Sequence, residues 1–298
     1  MVITPEQEPY IHEIGREWHD GRVAELSMLR LDVVHHDVSG NKWYKLKYNI
    51  EHCISNNITS ILTFGGAYSN HLAATAAMAQ LSGLQSIGII KGTYAEKELT
   101  PTLEFCREKG MELVFVSHED YAKKDDKEWL ESVSAKFHHP MIIPEGGSNE
   151  YGRSGAEDIT GFIPNRFTHI AVSVGTGTTL AGIANAVGND VQVLGFAPMK
   201  GGQYLEAEIG KYLNRVNFTI YDNWHFGGFG KFTNELVQFM NRFYREQHIP
   251  LDMVYTAKMM YGVKEQILNG LYPADARILS IHTGGLQGNV TLKELLVY

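Results

Sequence analysis

Short apolar runs alternate along the chain with stretches in which apolar residues recur every three or four positions. The short runs are rich in β-branched residues and nearly continuous in apolar character, as is typical of strands covered on both faces of a parallel sheet. The stretches with the longer period predict helices that connect such strands. This alternation predicts an α/β fold with parallel sheets.

The pattern places seven strands and six helices. The strand candidates are 60–64, 86–90, 112–116, 140–143, 169–174, 191–196 and 277–281. The helix candidates are 71–82, 100–109, 125–136, 179–187, 234–247 and 257–269. The sequence contains no internal repeat, no low-complexity tract and no proline-rich linker. Its length is ample for about two domains of ~150 residues.

Glycine clusters stand where several strand candidates end. They are Gly65 with Gly66, Gly146 with Gly147, Gly175 with Gly177, and Gly284 with Gly285. Ligands of open α/β sheets bind beyond the carboxyl ends of the strands. The clusters therefore predict one shared ligand crevice, although each of them alone is equally well explained as turn chemistry.

The composition is that of a globular protein, with 44% apolar and 20% charged residues. The formal net charge of −8 disfavours nucleic acid and anionic lipid as partners. Cys53 and Cys106 are far apart and form no metal-ligand pattern, so we expect no disulfide and no metal site. The charged N-terminal region does not resemble a signal peptide, and no run approaches about 18 apolar residues. We expect a cytoplasmic protein that does not bind a membrane.

Segment 171–182 reads as a buried strand, a glycine loop and the start of a helix. Amides at a helix N-terminus, with hydroxyls from Thr176, Thr178 and Thr179, suit a phosphate group. A nucleoside-triphosphate loop would need a lysine before its final Ser or Thr, and this loop has none. A dinucleotide site would need an acidic residue about 20 positions later, which is also missing. The loop therefore predicts a phosphate without an adenosine ribose, and pyridoxal phosphate is the cofactor to test.

Pyridoxal phosphate needs a lysine, a phosphate cradle and a group beside its pyridine nitrogen. Lys42 follows Gly40 and Asn41, whereas Lys45 and Lys47 read as the solvent-exposed face of a helix. A single lysine is nearly always a surface charge. These neighbours alone therefore do not give Lys42 a catalytic role.

Six short blocks carry a family resemblance. They are Gly-Asn-Lys at 40–42 with Lys-Leu at 45–46, Gly-Gly-Ala-Tyr-Ser-Asn-His at 65–71, Pro-Glu-Gly-Gly-Ser-Asn at 144–149, Gly-Thr-Gly-Thr-Thr at 175–179, Val-Tyr-Thr-Ala-Lys at 254–258 and His-Thr-Gly-Gly at 282–285. With these blocks the sequence resembles the 1-aminocyclopropane-1-carboxylate deaminase and D-cysteine desulfhydrase family, which belongs to the fold type II, tryptophan-synthase-β-like pyridoxal phosphate enzymes. Each block is modest alone, but their common order makes the match specific.

The resemblance implies how the cofactor is held. Lys42 would form the Schiff base, Asn70 would bond the ring oxygen, and Thr283 would face the pyridine nitrogen. The phosphate would be bound by Gly175, Thr176, Gly177, Thr178 and Thr179. From the residues alone, Asn70 could equally be a helix cap and Thr283 a core hydroxyl.

The resemblance also implies a substrate site. Ser69, with the amides of Asn70 and His71, would receive the substrate carboxylate. Tyr255 would reach the site as a second acid or base, although a packing aromatic is the simpler interpretation. Lys42, once released, would remove the α-proton.

The fold implied by the resemblance has two α/β domains, the smaller inserted in the larger, with the cofactor between them. Residues 51–155 would form the small domain, which carries the substrate loop, and residues 1–50 and 156–298 the large cofactor-binding domain. Closure of the small domain would then follow substrate binding. We also expect a homodimer.

The leading hypothesis is a pyridoxal-phosphate-dependent lyase that performs β-elimination on a small amino acid, as D-cysteine desulfhydrase does, and releases a 2-oxo acid and ammonia. One alternative is a ring-opening deaminase of the 1-aminocyclopropane-1-carboxylate type. Another is a catalytically silent pyridoxal phosphate binder, because Tyr44 and Ala73 stand where the family usually has arginine. A sugar-phosphate-binding protein is a further alternative.

Overall fold

The computed structural model describes residues 4–213 and 217–298. The strands are β1 (Tyr10–Glu13), β2 (Glu25–Arg30), β3 (Ser60–Gly65), β4 (Gln85–Lys91), β5 (Met111–Val116), β6 (Met141–Ile143), β7 (His169–Ser173), β8 (Gln192–Phe196), β9 (Phe218–Tyr221) and β10 (Arg277–His282). The α-helices are α1 (Asn41–Ser55), α2 (Asn70–Ser82), α3 (Pro101–Glu108), α4 (His118–Tyr121), α5 (Lys127–Ser134), α6 (Glu150–Asp158), α7 (Thr178–Ala186), α8 (Tyr204–Gly210), α9 (Asn234–Gln247) and α10 (Thr256–Leu268).

The strands form two sheets. The larger has the order β1-β2-β10-β7-β8-β9, and the smaller has the order β5-β4-β3-β6. All neighbours are parallel except β1, which pairs antiparallel with β2 at the edge of the larger sheet. The α/β class and the parallel sheets predicted from the sequence are confirmed.

The smaller sheet is built entirely from strands between Ser60 and Ile143, and the strands of the larger sheet lie before and after it in the chain. Helices cover the smaller sheet, with an apolar cluster on each side that includes Leu72 and Leu103 on one and Phe64 and Tyr121 on the other. This arrangement suits an inserted unit. The boundaries at 51 and 155 stay a prediction.

All seven predicted strands are present within one or two residues of their predicted ends, but β1, β2 and β9 were not predicted. The sequence of β2 does not look like a buried strand because it contains Glu25, Ser27 and Arg30. These side chains are nevertheless buried. Glu25 accepts hydrogen bonds from Arg166 and Arg277, so partners from distant segments satisfy a charge that the local sequence cannot explain.

Helix α6 was also missed, because its two glycines disfavour a helix by propensity. The structure gives the reason for one of them. A Cβ at Gly155 would lie 1.9 Å from the carbonyl oxygen of Tyr44, so α6 packs directly on the backbone of α1. On its other side, a Cβ at Gly182 of α7 would lie 2.6 Å from the Cβ of Ala156. Close packing therefore fixes α1 and α7, the two helices that carry the predicted lysine and phosphate cradle.

Candidate active site

A cavity of about 710 Å³ is lined by residues from the ends of strands of both sheets and from the loops that follow them. This volume is in the usual range for a small-molecule site. Every site residue predicted from the sequence lines it: Lys42, Ser69, Asn70, His71, Gly175, Thr176, Gly177, Thr178, Thr179, Tyr255 and Thr283. The predicted crevice therefore exists, while the role of each residue stays a prediction.

Lys42 lies in the first turn of α1, directly after a glycine turn. Gly40 has a φ of +70°, and a Cβ there would lie 2.0 Å from the carbonyl oxygen of Thr283. The amide of Asn41 donates to that same carbonyl oxygen at 3.3 Å. The start of the lysine helix is thus locked to the loop that carries Thr283, and a larger residue at position 40 would separate them.

The side chain of Lys42 lies in the cavity, where its Nζ donates to Oδ1 of Asn41 at 3.0 Å. Asn41 in turn donates from Nδ2 to Oγ1 of Thr179 at 2.7 Å, which links the lysine to the start of α7. Burial lowers the pKa of Lys42 to about 8, against the opposing charge of Asp252. A large fraction of this amine is therefore neutral near pH 8, as a nucleophile or base requires.

Lys45 is also a cavity residue, and its predicted position on a solvent-exposed face is wrong. It is 3% exposed, and burial together with the charge of Lys42 holds its pKa well below the usual value. Lys47 does face outward, where it pairs with Asp158 at 2.7 Å. Helical spacing could have found Lys45, because residues three apart share a face.

The predicted phosphate cradle is the loop between β7 and α7. Helix α7 begins after Gly177, which has a φ of +82°, and no side chain caps it. Within residues 4–213 and 217–298, the amides of residues 175–179 have no hydrogen-bond acceptor. Unpartnered amides at a helix N-terminus are the donors that a phosphate group requires.

Threonine hydroxyls and a glycine contact hold this loop against the loop after β6. Oγ1 of Thr176 lies 2.9 Å from Oγ1 of Thr178, which donates to Oγ of Ser148 at 3.0 Å. A Cβ at Gly146 would lie 2.6 Å from Cγ2 of Thr176. These contacts fix the cradle loop against the loop after β6.

The substrate loop precedes α2, and Ser69 is its N-cap: Oγ accepts a hydrogen bond from the amide of Leu72 at 3.3 Å. Asn70 is the first helical residue and not the cap, so the simpler interpretation of Asn70 is wrong. Its side chain packs on Gly285, where a Cβ would lie 2.6 Å from Nδ2. The amides of Asn70 and His71 have no acceptor in the part of the chain that is described. They can therefore bind a carboxylate.

His71 is 3% exposed, with Nε2 2.8 Å from Oγ1 of Thr63. Because the hydroxyl of Thr63 donates to the carbonyl of Ile143, it accepts from Nε2–H, and Nδ1 is left without a hydrogen. This Nδ1 has no partner among the described residues. Burial, followed by the charges of Lys42 and Lys45, holds the pKa of His71 well below its usual value, so the ring is neutral.

Thr283 follows β10 and is 8% exposed. Its hydroxyl has no hydrogen-bond partner among the residues that the structure describes, and it borders the cavity. A free hydroxyl at this position can face a ring nitrogen. The interpretation of Thr283 as a satisfied core hydroxyl is therefore wrong.

Tyr255 stands at the start of α10, where the buried carboxylate of Asp252 accepts from the amides of Tyr255 at 3.1 Å and Thr256 at 2.7 Å. Burial raises the pKa of the Tyr255 phenol, so the hydroxyl keeps its proton. The hydroxyl is also close to the cradle, because a Cβ at Gly175 would lie 3.4 Å from it. Tyr255 can therefore donate a proton or a hydrogen bond, but it is poorly suited to be a base.

Known proteins resemble this chain over most of its length. The sequence profile of the family described as pyridoxal-phosphate dependent enzyme matches residues 29–284. The chain belongs to this family. A Thermotoga maritima protein that carries the provisional name 1-aminocyclopropane-1-carboxylate deaminase is 30% identical, over 84% of this chain and 85% of its own length.

Two further relatives of this pyridoxal-phosphate-dependent enzyme refine the comparison. A mitochondrial protein of Arabidopsis thaliana, named bifunctional D-cysteine desulfhydrase/1-aminocyclopropane-1-carboxylate deaminase, is 27% identical over 89% of this chain and 73% of its own. The crystal structure of a homologue of 1-aminocyclopropane-1-carboxylate deaminase matches with a TM-score of 0.85 and 26% identity, covering 99% of this chain and 96% of that one. The fold is therefore fold type II, and the resemblance stated from the sequence blocks is confirmed.

The site fits the cofactor of this family. It offers unpartnered amides for a phosphate, a buried lysine with a lowered pKa, and a free hydroxyl at Thr283. No described helix is long and apolar enough to cross a membrane.

Proposed function

We propose that this enzyme is a β-eliminating lyase that acts on a small amino acid, as a D-cysteine desulfhydrase does, and that it releases a 2-oxo acid and ammonia. The observation that carries the proposal is that Lys42, the free amides after Ser69, and Tyr255 line the same cavity as the phosphate cradle. The cofactor alone would need only the cradle, Lys42, the side chain of Asn70 and Thr283. The remaining groups are those that a substrate needs.

The substrate carboxylate binds to the amides of Asn70 and His71 at the start of α2, where the helix dipole favours negative charge. Bound pyridoxal phosphate would supply the electron sink for the pair that removal of the α-proton releases. Lys42 removes that proton, which its lowered pKa permits near pH 8. Tyr255, which keeps its own proton, donates to the leaving group. The neutral hydroxyl of Thr283 cannot hold a proton on the pyridine nitrogen as a carboxylate would, which favours prompt elimination.

Ring opening of 1-aminocyclopropane-1-carboxylate is the second candidate, favoured by the names of the relatives. It would use the same carboxylate site and the same lysine. The third candidate is a protein that binds pyridoxal phosphate but does not turn over an amino acid. We keep the domain boundaries, the homodimer and the cytoplasmic location as predictions from the sequence.

The test is a visible spectrum of the purified protein before and after borohydride, followed by assays of 2-oxo acid and ammonia from D-cysteine, L-cysteine and 1-aminocyclopropane-1-carboxylate. We expect a coloured protein that releases 2-oxo acid and ammonia from at least one enantiomer of cysteine. In Tyr255→Phe the spectrum should stay nearly unchanged while turnover falls about 10²–10⁴-fold, as for a lost acid. A coloured wild type that is inert toward every β-substituted amino acid would establish the silent binder instead.

A further inference from the structure

One part of the cavity lining has not been given a role in binding the cofactor or the reacting groups of the substrate. It consists of Met199, Phe229, Phe232, Met253 and Val254, which we name the apolar wall. These residues come from three segments, which follow β8, lie between β9 and α9, and precede α10. The charged or basic lining residues all lie on other segments, namely Lys42, Lys45, His71 and Glu145. None of the five wall residues carries a charge, and the adjacent Lys200 and Lys231 are exposed and do not line the cavity.

Two aromatic rings of the wall are open to the cavity. Phe229 is 57% exposed and Phe232 is 39% exposed, although both border a concave site. Large apolar side chains left open in a cavity indicate a ligand that covers them. The ring of Phe229 meets the ring of Tyr255 edge to face, with centroids 5.9 Å apart. The wall thus adjoins the residue that we propose to serve the leaving group.

A buried lysine fixes the segment that carries Phe229. Lys258 is 2% exposed, and its Nζ donates to the carbonyls of His225 at 2.9 Å, Gly228 at 2.9 Å and Pro198 at 3.3 Å. Among the described residues, no carboxylate lies within ion-pair distance of Nζ. Burial lowers the pKa of Lys258 to about 8, against the opposing charge of Asp252, and the three carbonyls are the acceptors that satisfy its N–H groups. Lys258 therefore places this segment with a precision that apolar packing of a glycine-rich loop would not provide.

We infer, on the basis of the proposed function, that the apolar wall binds the substituent on the β-carbon, and that the substrates are amino acids with an uncharged, apolar group on the β-sulfur, such as S-alkyl or S-aryl cysteines. The amino group is directed to Lys42 and the carboxylate to the loop after Ser69, which leaves the wall for the third substituent. An anionic substituent would lose its hydration there without gaining a partner. Lys258 is a positioning residue for this subsite.

The reaction balances with water as the only co-reactant. The α-carbon loses its proton to Lys42, and the bond between the β-carbon and sulfur breaks with its electron pair leaving on sulfur. The sulfur takes up a proton and departs as a free thiol. The remaining three-carbon unsaturated amino acid reacts with one water to give pyruvate and ammonia.

The first experiment measures pyruvate release by the holoenzyme from both enantiomers of cysteine, S-methylcysteine, S-benzylcysteine and cysteate. We expect kcat/KM for S-benzylcysteine to exceed that for cysteate by at least tenfold. Equal or faster turnover of cysteate would overturn the inference. If no compound is turned over, the proposed function fails. The inference is then decided by binding of phenylalanine against aspartate, read from the cofactor absorption, where tighter aspartate binding refutes it.

The second experiment uses variants. In Phe229→Ala the ratio of kcat/KM for S-benzylcysteine to that for cysteine should fall at least tenfold. Tyr94→Ala removes a ring that is 65% exposed outside the cavity lining, and it should leave the ratio unchanged. Lys258→Met should raise KM for S-benzylcysteine more than it lowers kcat, and Lys258→Arg should recover part of the loss. If Lys258→Met lowered kcat/KM for S-benzylcysteine and for cysteine by the same factor, the positioning role would be refuted.

Discussion

The two sides of the cavity are built in different ways. On the polar side, Lys42, the amides after Ser69, the cradle at 175–179 and Thr283 each belong to a short contiguous motif at the end of a strand or the start of a helix. The apolar wall is assembled from three segments, and of its five residues only Val254 belongs to one of the six sequence blocks. The comparison teaches that the part of the site proposed to hold the cofactor has a local signature, whereas most of the part proposed to face the substituent of the substrate has none.

The two sides also differ in what holds them. The polar loops pack closely against one another at glycines: Gly40 contacts Thr283, Gly146 contacts Thr176, and Gly285 contacts Asn70. No side chain could be added at these positions without moving backbone or a site residue. The segment of the apolar wall that carries Phe229 depends instead on Nζ of Lys258, which donates to three carbonyls. We therefore expect the polar side to be the less tolerant of substitution, and the losses in the following polar-side variants are to be compared with those in Phe229→Ala and Lys258→Met.

The largest effect is expected for Lys42→Ala, which should abolish both turnover and borohydride trapping of the cofactor. The physical reason is that Lys42 is the cavity amine that lies beside Asn41. Lys47→Ala, which removes a lysine paired with Asp158 at the surface, is the matched control and should trap the cofactor normally. Lys45 also lies in the cavity, so peptide mapping decides between the two. An adduct on Lys45 would show that the lysine is misassigned.

Much of the polar side could be predicted from sequence because its chemistry is local. A glycine followed by a helix start presents free amides wherever the motif occurs, so 175–179 and the residues after Ser69 were identifiable. Lys45 shares a helix face with Lys42, so its place in the cavity could have been predicted from spacing, but its burial depends on Gly147, which approaches it from a distant segment. Lys258 was part of a quoted block, yet its role depends on carbonyls about 30 or more positions away. Such contacts are properties of the packed chain and leave no local pattern.

Gly177→Val should remove cofactor binding almost completely, at least a hundredfold in affinity. The φ of +82° is strained for any β-branched residue, and a Cβ there would lie 2.3 Å from Cγ1 of Ile209. The new side chain would push the cradle away from α8. Gly210→Val, next to Ile209 in sequence, has open space around its Cβ and should bind the cofactor normally. Binding is measured by titration of the apoprotein, and retention of cofactor by Gly177→Val would exclude this loop as the cradle.

Ser69→Ala should lower kcat/KM roughly 10- to 100-fold, the loss expected for a hydrogen bond to a charged group. It should also destabilise the protein by about 1 kcal/mol, because Ser69 caps α2. Ser117→Ala removes the corresponding cap from α4, whose residues do not line the cavity. That control should match the stability loss measured by urea unfolding and keep normal kinetics. If kcat/KM fell equally in the two variants, Ser69 would act only as a helix cap and not in substrate binding.

The smallest effect is expected for Thr176→Val, which keeps the shape of the side chain and removes only its hydroxyl. Backbone amides at the start of α7 outnumber the hydroxyls of the cradle, so the loss of one hydroxyl should weaken cofactor binding by roughly 0.5–1.5 kcal/mol, about two- to tenfold. Cγ2 of Thr176 packs near Gly146, and valine preserves that contact, whereas Thr176→Ser loses it but keeps the hydroxyl. If the hydroxyl is what matters, Thr176→Ser should bind more tightly than Thr176→Val. The reverse order would mean that the loop is held mainly by its packing on Gly146, and that the amides alone bind the phosphate.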